Sequence, residues 1–154
     1  MTGVQTCALP IFADPRRALG HLLGNGVRFG AAFDTIAVGE GIETMLALKS
    51  VLPALPMIAA LSANHLAALD LFGALRRLYV ARDNDAAGLK AAKCLRERAA
   101  AVGLDVRELV PVHGDFNLDL CQLGPDAMGA RLADQLVASD HQRFLPGCRF
   151  DPPH

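Results

Sequence analysis

Along this chain, short apolar runs alternate with stretches of helical period. Thr35–Val38 (TIAV), Met57–Leu61 (MIAAL), Arg77–Ala81 (RLYVA) and Val106–Val110 (VRELV) have the length and content of buried strands. Between them, Glu43–Leu52 places Met45, Leu46, Leu48, Val51 and Leu52 at helical spacing and stops before Pro53. His65–Phe72 is a second helix, with Ser62 or Asn64 as its cap. Ala86–Val102 is a third, ending at Gly103 where a left-handed residue is favoured. Asp126–Ala138 is the last. Strands alternating with helices predict an α/β fold of about four mostly parallel strands, with helices on both faces. The Arg- and Gly-rich segment 13–34 reads as an irregular lead-in, 35–138 as the folded domain and 139–154 as a loose tail.

Composition narrows the class. The 154 residues suffice for one domain with a core. Apolar residues make up 52% and aromatic ones only 5%, which favours helices on a sheet over an aromatic-rich sandwich. A formal charge of −1 provides no global field for nucleic acid, so any such binding needs a local patch or another domain. Cys7, Cys94, Cys121 and Cys148 form no C-x-x-C pair and read as reduced thiols of a cytoplasmic protein. No apolar run reaches the ~18 residues of a membrane span. Residues 1–12, MTGVQTCALPIF, have neither period and resemble translated sequencing-adapter bases. They are expected to be a non-native leader, with the natural protein extending further at its N-terminus.

Right-handed crossovers bring the C-terminal ends of parallel strands to one edge, where ligands of open α/β sheets bind. The acids fall at that edge: Glu40 after the first strand, Asp83 and Asp85 after the third, Asp115 and Asp119 after the fourth. Carboxylates crowded there call for a counter-cation, and hard oxygen ligands without His or Cys suit Mg²⁺ or Mn²⁺. Gly88, one turn into the third helix, leaves room for another backbone or a phosphate, as do Gly39 and Gly41.

The stretches VGEGIETMLAL and LYVARDNDAAGLKAA together resemble the two signature motifs of the Toprim domain, shared by primases, topoisomerases and several nucleases. EGIET, RDNDAAG and GDFNLDL are most similar to Toprim domains of phage- and plasmid-type primase–helicase proteins, over about Arg16–Leu123. The resemblance implies a Toprim-like Rossmannoid fold and Mg²⁺-dependent nucleotidyl transfer that makes RNA primers from NTPs on single-stranded DNA. It further implies Glu40, Asp83 and Asp85 as catalytic and metal-binding residues, and Asp115 and Asp119 as auxiliary acids whose spacing departs from the commoner Asp-Pro-Asp. Zinc-binding and helicase modules of a longer protein are its implied partners, and replication of a mobile element or its host the setting. No membrane partner is implied.

Bland readings stand beside these. Asp83 or Asp85 also suits a helix N-cap, and Glu43 the favourable end of a helix dipole. Gly39 and Gly41 also suit tight turns. Arg82 either contacts phosphate or balances the acids. Lys90, Lys93 and Arg96 form either a solvated helix face or a nucleic-acid track, with Lys90 the nearest to the motif. Arg16, Arg17 and Arg28 carry little weight, and His113 reads as an exposed loop residue. Tyr79, the sole tyrosine, lies inside a strand and is no nucleophile for a topoisomerase. A metal-dependent nuclease and a truncated, non-catalytic metal- or nucleic-acid-binding module are the alternatives. A receiver domain lacks its acidic pair after strand one and its lysine after the last strand.

Overall fold

The computed structural model describes residues 23–71 and 73–145. The leader 1–12, Cys7, Arg16, Arg17, His21, Phe72 and Cys148 lie outside the described residues. Five strands form one sheet in the order β1-β3-β2-β4-β5: β1 Val27–Phe29, β2 Thr35–Gly39, β3 Met57–Ala59, β4 Arg77–Ala81 and β5 Asp105–Leu109. β2 is parallel to β3 and β4, and β4 to β5. β1 runs antiparallel to β3, Val27 opposite Ala59. The helices are α1 Ile42–Val51, α2 Ala63–Ala67, α3 Ala86–Ala101, α4 Phe116–Ala133 and α5 Ala138–Phe144.

Alternation along each strand divides the core in two. Ala37, Met57, Ala59, Tyr79 and Ala81 face α1, α4 and α5, whose Met45, Leu48, Met128, Leu132 and Phe144 fill that side. Ile36, Val38, Ile58, Leu78 and Val80 face α2 and α3, against Leu66, Ala91, Leu95 and Ala99. Burying each such Leu, Ile or Met stabilises by roughly 1.5–3 kcal/mol. The predicted α/β fold, mostly parallel and covered on both faces, is the fold observed.

Its particulars differ in four places. The helix expected over His65–Phe72 is α2 at Ala63–Ala67, which starts earlier because Ser62 caps it through His65 N–H, and ends by Ala68. The lead-in contains β1, three residues with an exposed pattern, too short to show a period; pairing with β3 makes it a strand. α4 begins at Phe116 instead of Asp126, because a break at Gly124, followed by Pro125, interrupts its apolar period. The tail is not loose from its start: Ala138–Phe144 is helical and buries Asp140 and Phe144.

The connections position the site. β2 leaves through α1 toward β3 on one face, and β4 leaves through α3 toward β5 on the other. The chain thus reverses its direction of winding between the neighbouring strands β2 and β4. Two connections diverging from adjacent strands open a crevice at their C-terminal ends.

Candidate metal centre

The crevice is walled by the ends of β2 and β4. Gly39 pairs with Ala81, so Glu40 and Arg82 leave adjacent strands at the same edge. The Glu40 carbonyl accepts from Leu61 N–H at 2.7 Å, fixing the start of the β2–α1 turn. Across the crevice, the Thr44 hydroxyl, buried in the first turn of α1, donates to Asp83 Oδ1 at 3.2 Å. That bond joins the EGIET turn to the Asp-Asn-Asp turn.

Asp85 caps α3, its Oδ1 accepting from Gly88 N–H at 2.6 Å. Asp115 caps α4 in the same way, through Leu118 N–H at 2.7 Å. Asp83, Asp85 and Asp115 therefore each have one oxygen anchored, while the other has no protein hydrogen-bond partner among the described residues. Capping and ligation are compatible, because a carboxylate has two oxygens.

Asp83 is held above the ordinary carboxylate range. Burial is the main cause, the negative charges of Asp115 and Asp85 add to it, and the Thr44 hydrogen bond opposes it. Two neighbouring loops thus set negative charge around Asp83. A divalent cation relieves that repulsion, and oxygen-only donors match Mg²⁺ or Mn²⁺. No three His, Cys, Asp or Glu groups among the described residues stand gathered around a common ion position. The donor set fits an ion of the Mg²⁺ kind, which keeps several waters and binds through one or two carboxylates.

Other candidates have different work. Asp119 is buried: it accepts from Val112 and His113 N–H at 2.7 and 2.9 Å and pairs with His113 Nδ1 at 2.6 Å. Both its oxygens accept hydrogen bonds inside the β5–α4 loop, so as placed it braces that loop. His113 is held by this contact and is not a free surface histidine. Arg82 is committed to Glu108 at 3.1 Å and to Asn84 Oδ1 at 2.9 Å, and as placed it braces the loop.

Gly39 is buried, and a Cβ there would lie 2.5 Å from Met45 Sδ; it is a packing glycine, not a phosphate contact. Gly88 is buried too, and a Cβ would meet the Asp83 carbonyl oxygen at 3.1 Å, so the approach it permits is by backbone. Gly41 caps α1 at the rim with a partly exposed, ordinary extended backbone. Lys90 is exposed and lines a shallow cleft with Asn64 and Ala67 of α2, turned toward that helix. Tyr79 is fully buried, its hydroxyl donating to Asp140 at 2.7 Å, which removes it as a nucleophile.

Thr44 and Asn84 are the site residues that sequence reading missed. Thr44 gave a signal in its position one turn after Glu40. Asn84 gave none, because its partners lie in a loop about 30 residues away.

No curated protein matches the chain significantly. Among solved structures, it is similar to a DNA primase domain from Pseudomonas aeruginosa, at 28% identity over 67% of this chain and 34% of that chain, with a TM-score of 0.49. It is also similar to a DnaG primase catalytic domain bound to ssDNA, at 26% identity over 67% and 34% of the two chains, with a TM-score of 0.46. The chain thus spans about a third of the length of each. Among the described residues, no helix is long and apolar enough to cross a membrane. The sequence model of the Toprim domain matches residues 35–126, from the start of β2 into α4, and takes in Glu40, Thr44, Asp83, Asn84, Asp85 and Asp115. By that match over more than half of its length, the chain belongs to the Toprim domain family.

Proposed function

We propose that this chain is the Toprim catalytic domain of a longer, cytoplasmic primase-type protein, making RNA primers by Mg²⁺-dependent nucleotidyl transfer. The observation that carries the reading is the Thr44–Asp83 hydrogen bond, which ties the EGIET turn to the Asp-Asn-Asp turn at the crevice, with the loop before Asp115 held against that turn by the Asn84–Gly114 bond. Family membership supports metal-dependent phosphoryl chemistry. The wording of EGIET and RDNDAAG supports a primase of a phage, plasmid or their host.

In this reading Asp83 and Asp85, with Asp115 as the auxiliary acid, would hold Mg²⁺ or Mn²⁺. The bound ion supplies charge stabilisation at the phosphoryl oxygens and orients the triphosphate. Thr44 fixes the orientation of the Asp83 carboxylate through Oδ1, and the second oxygen would serve the ion. Glu40, at the end of the adjacent strand, serves as general acid/base toward the primer 3′-hydroxyl. Single-stranded template and NTPs are the proposed substrates, and zinc-binding and helicase modules the proposed neighbours in the longer protein.

The test is incubation of the chain, and of a longer protein carrying it, with NTPs, Mg²⁺ and single-stranded DNA. Short RNA products, lost in Asp83→Ala/Asp85→Ala, are the expected result. Strand cleavage without NTPs overturns the primase reading in favour of a nuclease. Absence of both activities from the longer protein, with metal still bound, leaves a binding module.

A further inference from the structure

The loop between β5 and α4 is gripped from two sides by complementary chemistry. Asp119 takes its N–H groups, at Val112 and His113. Asn84 takes its carbonyls: backbone N–H to Gly114 at 2.9 Å, and Nδ2 to Pro111 at 3.2 Å and to His113. The amide of Asn84 can face only one way. Arg82 can only donate, so Oδ1 must face it, and the carbonyls can only accept, so Nδ2 must face them. Arg82 is itself held, by Glu108 through Nε and by the Leu109 carbonyl through its backbone N–H at 3.2 Å. Glu108 is in turn anchored to Arg96 of α3 at 2.7 Å.

The residue that follows this gripped loop is Asp115, one position after the Gly114 carbonyl that the Asn84 backbone N–H holds, with its own Oδ1 fixed by the Leu118 N–H. We infer that Asn84, between the two proposed metal-binding aspartates, is a positioning residue that staples the β5–α4 loop so that Asp115 is held beside the cation site and supports it. The inference rests on the metal-binding reading above. It makes the Asp-Asn-Asp turn do two things: its flanking carboxylates serve the cation, while its central amide holds the loop that leads into Asp115.

A double-mutant cycle on the full chain tests it, with Mn²⁺ affinity measured by calorimetric titration and metal-free unfolding followed in parallel. Asn84→Ala is expected to weaken Mn²⁺ binding by roughly tenfold or more, as loss of an outer-shell support does. Asp115→Ala is expected to weaken binding in the wild-type chain and to do little more once Asn84 is gone. A purely structural role for Asn84 moves the unfolding midpoint but leaves the affinity of the folded protein and the Asp115 effect unchanged. Unchanged affinity in Asn84→Ala, or strictly additive losses, overturns the inference. If Asn84→Ala does not fold, Asn84→Ser, which retains one donor on a shorter side chain, carries the same comparison. Asp83→Ala/Asp85→Ala separates the two levels. If it binds Mn²⁺ like wild type, the metal reading fails and the staple with it. If it loses Mn²⁺ while Asn84→Ala does not, the staple alone fails.

Discussion

At Asp83 a strand end, a helix start and a neighbouring loop deliver conflicting demands to one carboxylate. Burial and the charges of Asp115 and Asp85 favour its protonated form, and the Thr44 hydroxyl only partly offsets them. A folded-state pKa raised above the unfolded one means that the folded protein holds this proton to higher pH. Stability is then lost as pH rises through the window from the ordinary carboxylate range up to the raised value, and regained as pH falls below it. Asp83→Asn keeps an acceptor for Thr44 and removes the charge. The metal-free protein is therefore expected to gain ~1–3 °C in Tm at neutral pH. The gain should vanish below pH ~4, where the wild-type carboxyl is protonated as well. The effect is small because Asp83 is only partly buried and water screens its neighbours. Thermal melts of the two proteins across pH check it; a lower Tm for the Asn variant at neutral pH contradicts the charge-crowding account. Added Mn²⁺ is expected to raise the wild-type Tm and to leave the variant's nearly unmoved.

At the scale of elements, α4 carries the least regular geometry. Gly124 stands at φ 78°, ψ 167°, a region almost reserved for glycine, and Pro125 then restarts the helix. The break lets one segment serve two ends of the molecule: its first half starts at the Asp115 cap, and its second half packs Met128 and Leu132 into the core. A Cβ at Gly124 would meet nothing within 4 Å, so a side chain there is resisted by backbone strain alone. Gly124→Ala is expected to lose about 1–3 kcal/mol of stability, measured by urea unfolding. A loss near zero would mean that the chain straightens at this point without penalty.

Across the whole molecule, the edge of the sheet opposite the crevice is closed by α5. Asp140, fully buried, accepts from Tyr79 Oη at 2.7 Å and Arg77 Nη1 at 2.8 Å. Arg77 also pairs with Asp105, and Arg143 of α5 reaches Asp34 at 2.8 Å, so the starts of β2, β4 and β5 are tied to one short helix. Asp140→Ala strips the buried Tyr79 hydroxyl and the mostly covered Arg77 of their shared acceptor. Removing one partner of such a pair costs about 3–5 kcal/mol, and the loss here is expected near the lower figure because Arg77 keeps Asp105. Chemical unfolding measures the change. A variant within 1 kcal/mol of wild type in that measurement, a margin typical of exposed pairs, would mean that α5 is not an integral part of the fold.

Much was legible in the sequence because it is local. The strands at 35–39, 57–59 and 77–81 are short, mostly apolar runs, the third helix ends at a glycine with φ +81°, and Asp85 caps that helix as an aspartate before an alanine-rich run should. Strand–helix alternation then dictated a parallel sheet and put Glu40, Asp83, Asp85 and Asp115 on one rim, since chain chirality leaves little choice. What the sequence could not decide depended on partners distant along the chain. β1 is a strand only because β3 lies beside it, and α5 is a helix anchored by Tyr79 and Arg77. Asp115 and Asp119 look alike in sequence, yet one has a single oxygen engaged, in capping α4, and the other has both engaged on its own loop. Local propensity and hydrophobic period belong to a segment and travel with it. Which hydrogen-bonding group satisfies which carboxylate is settled only when loops from separate strands meet, and that meeting decides what each acid is free to bind.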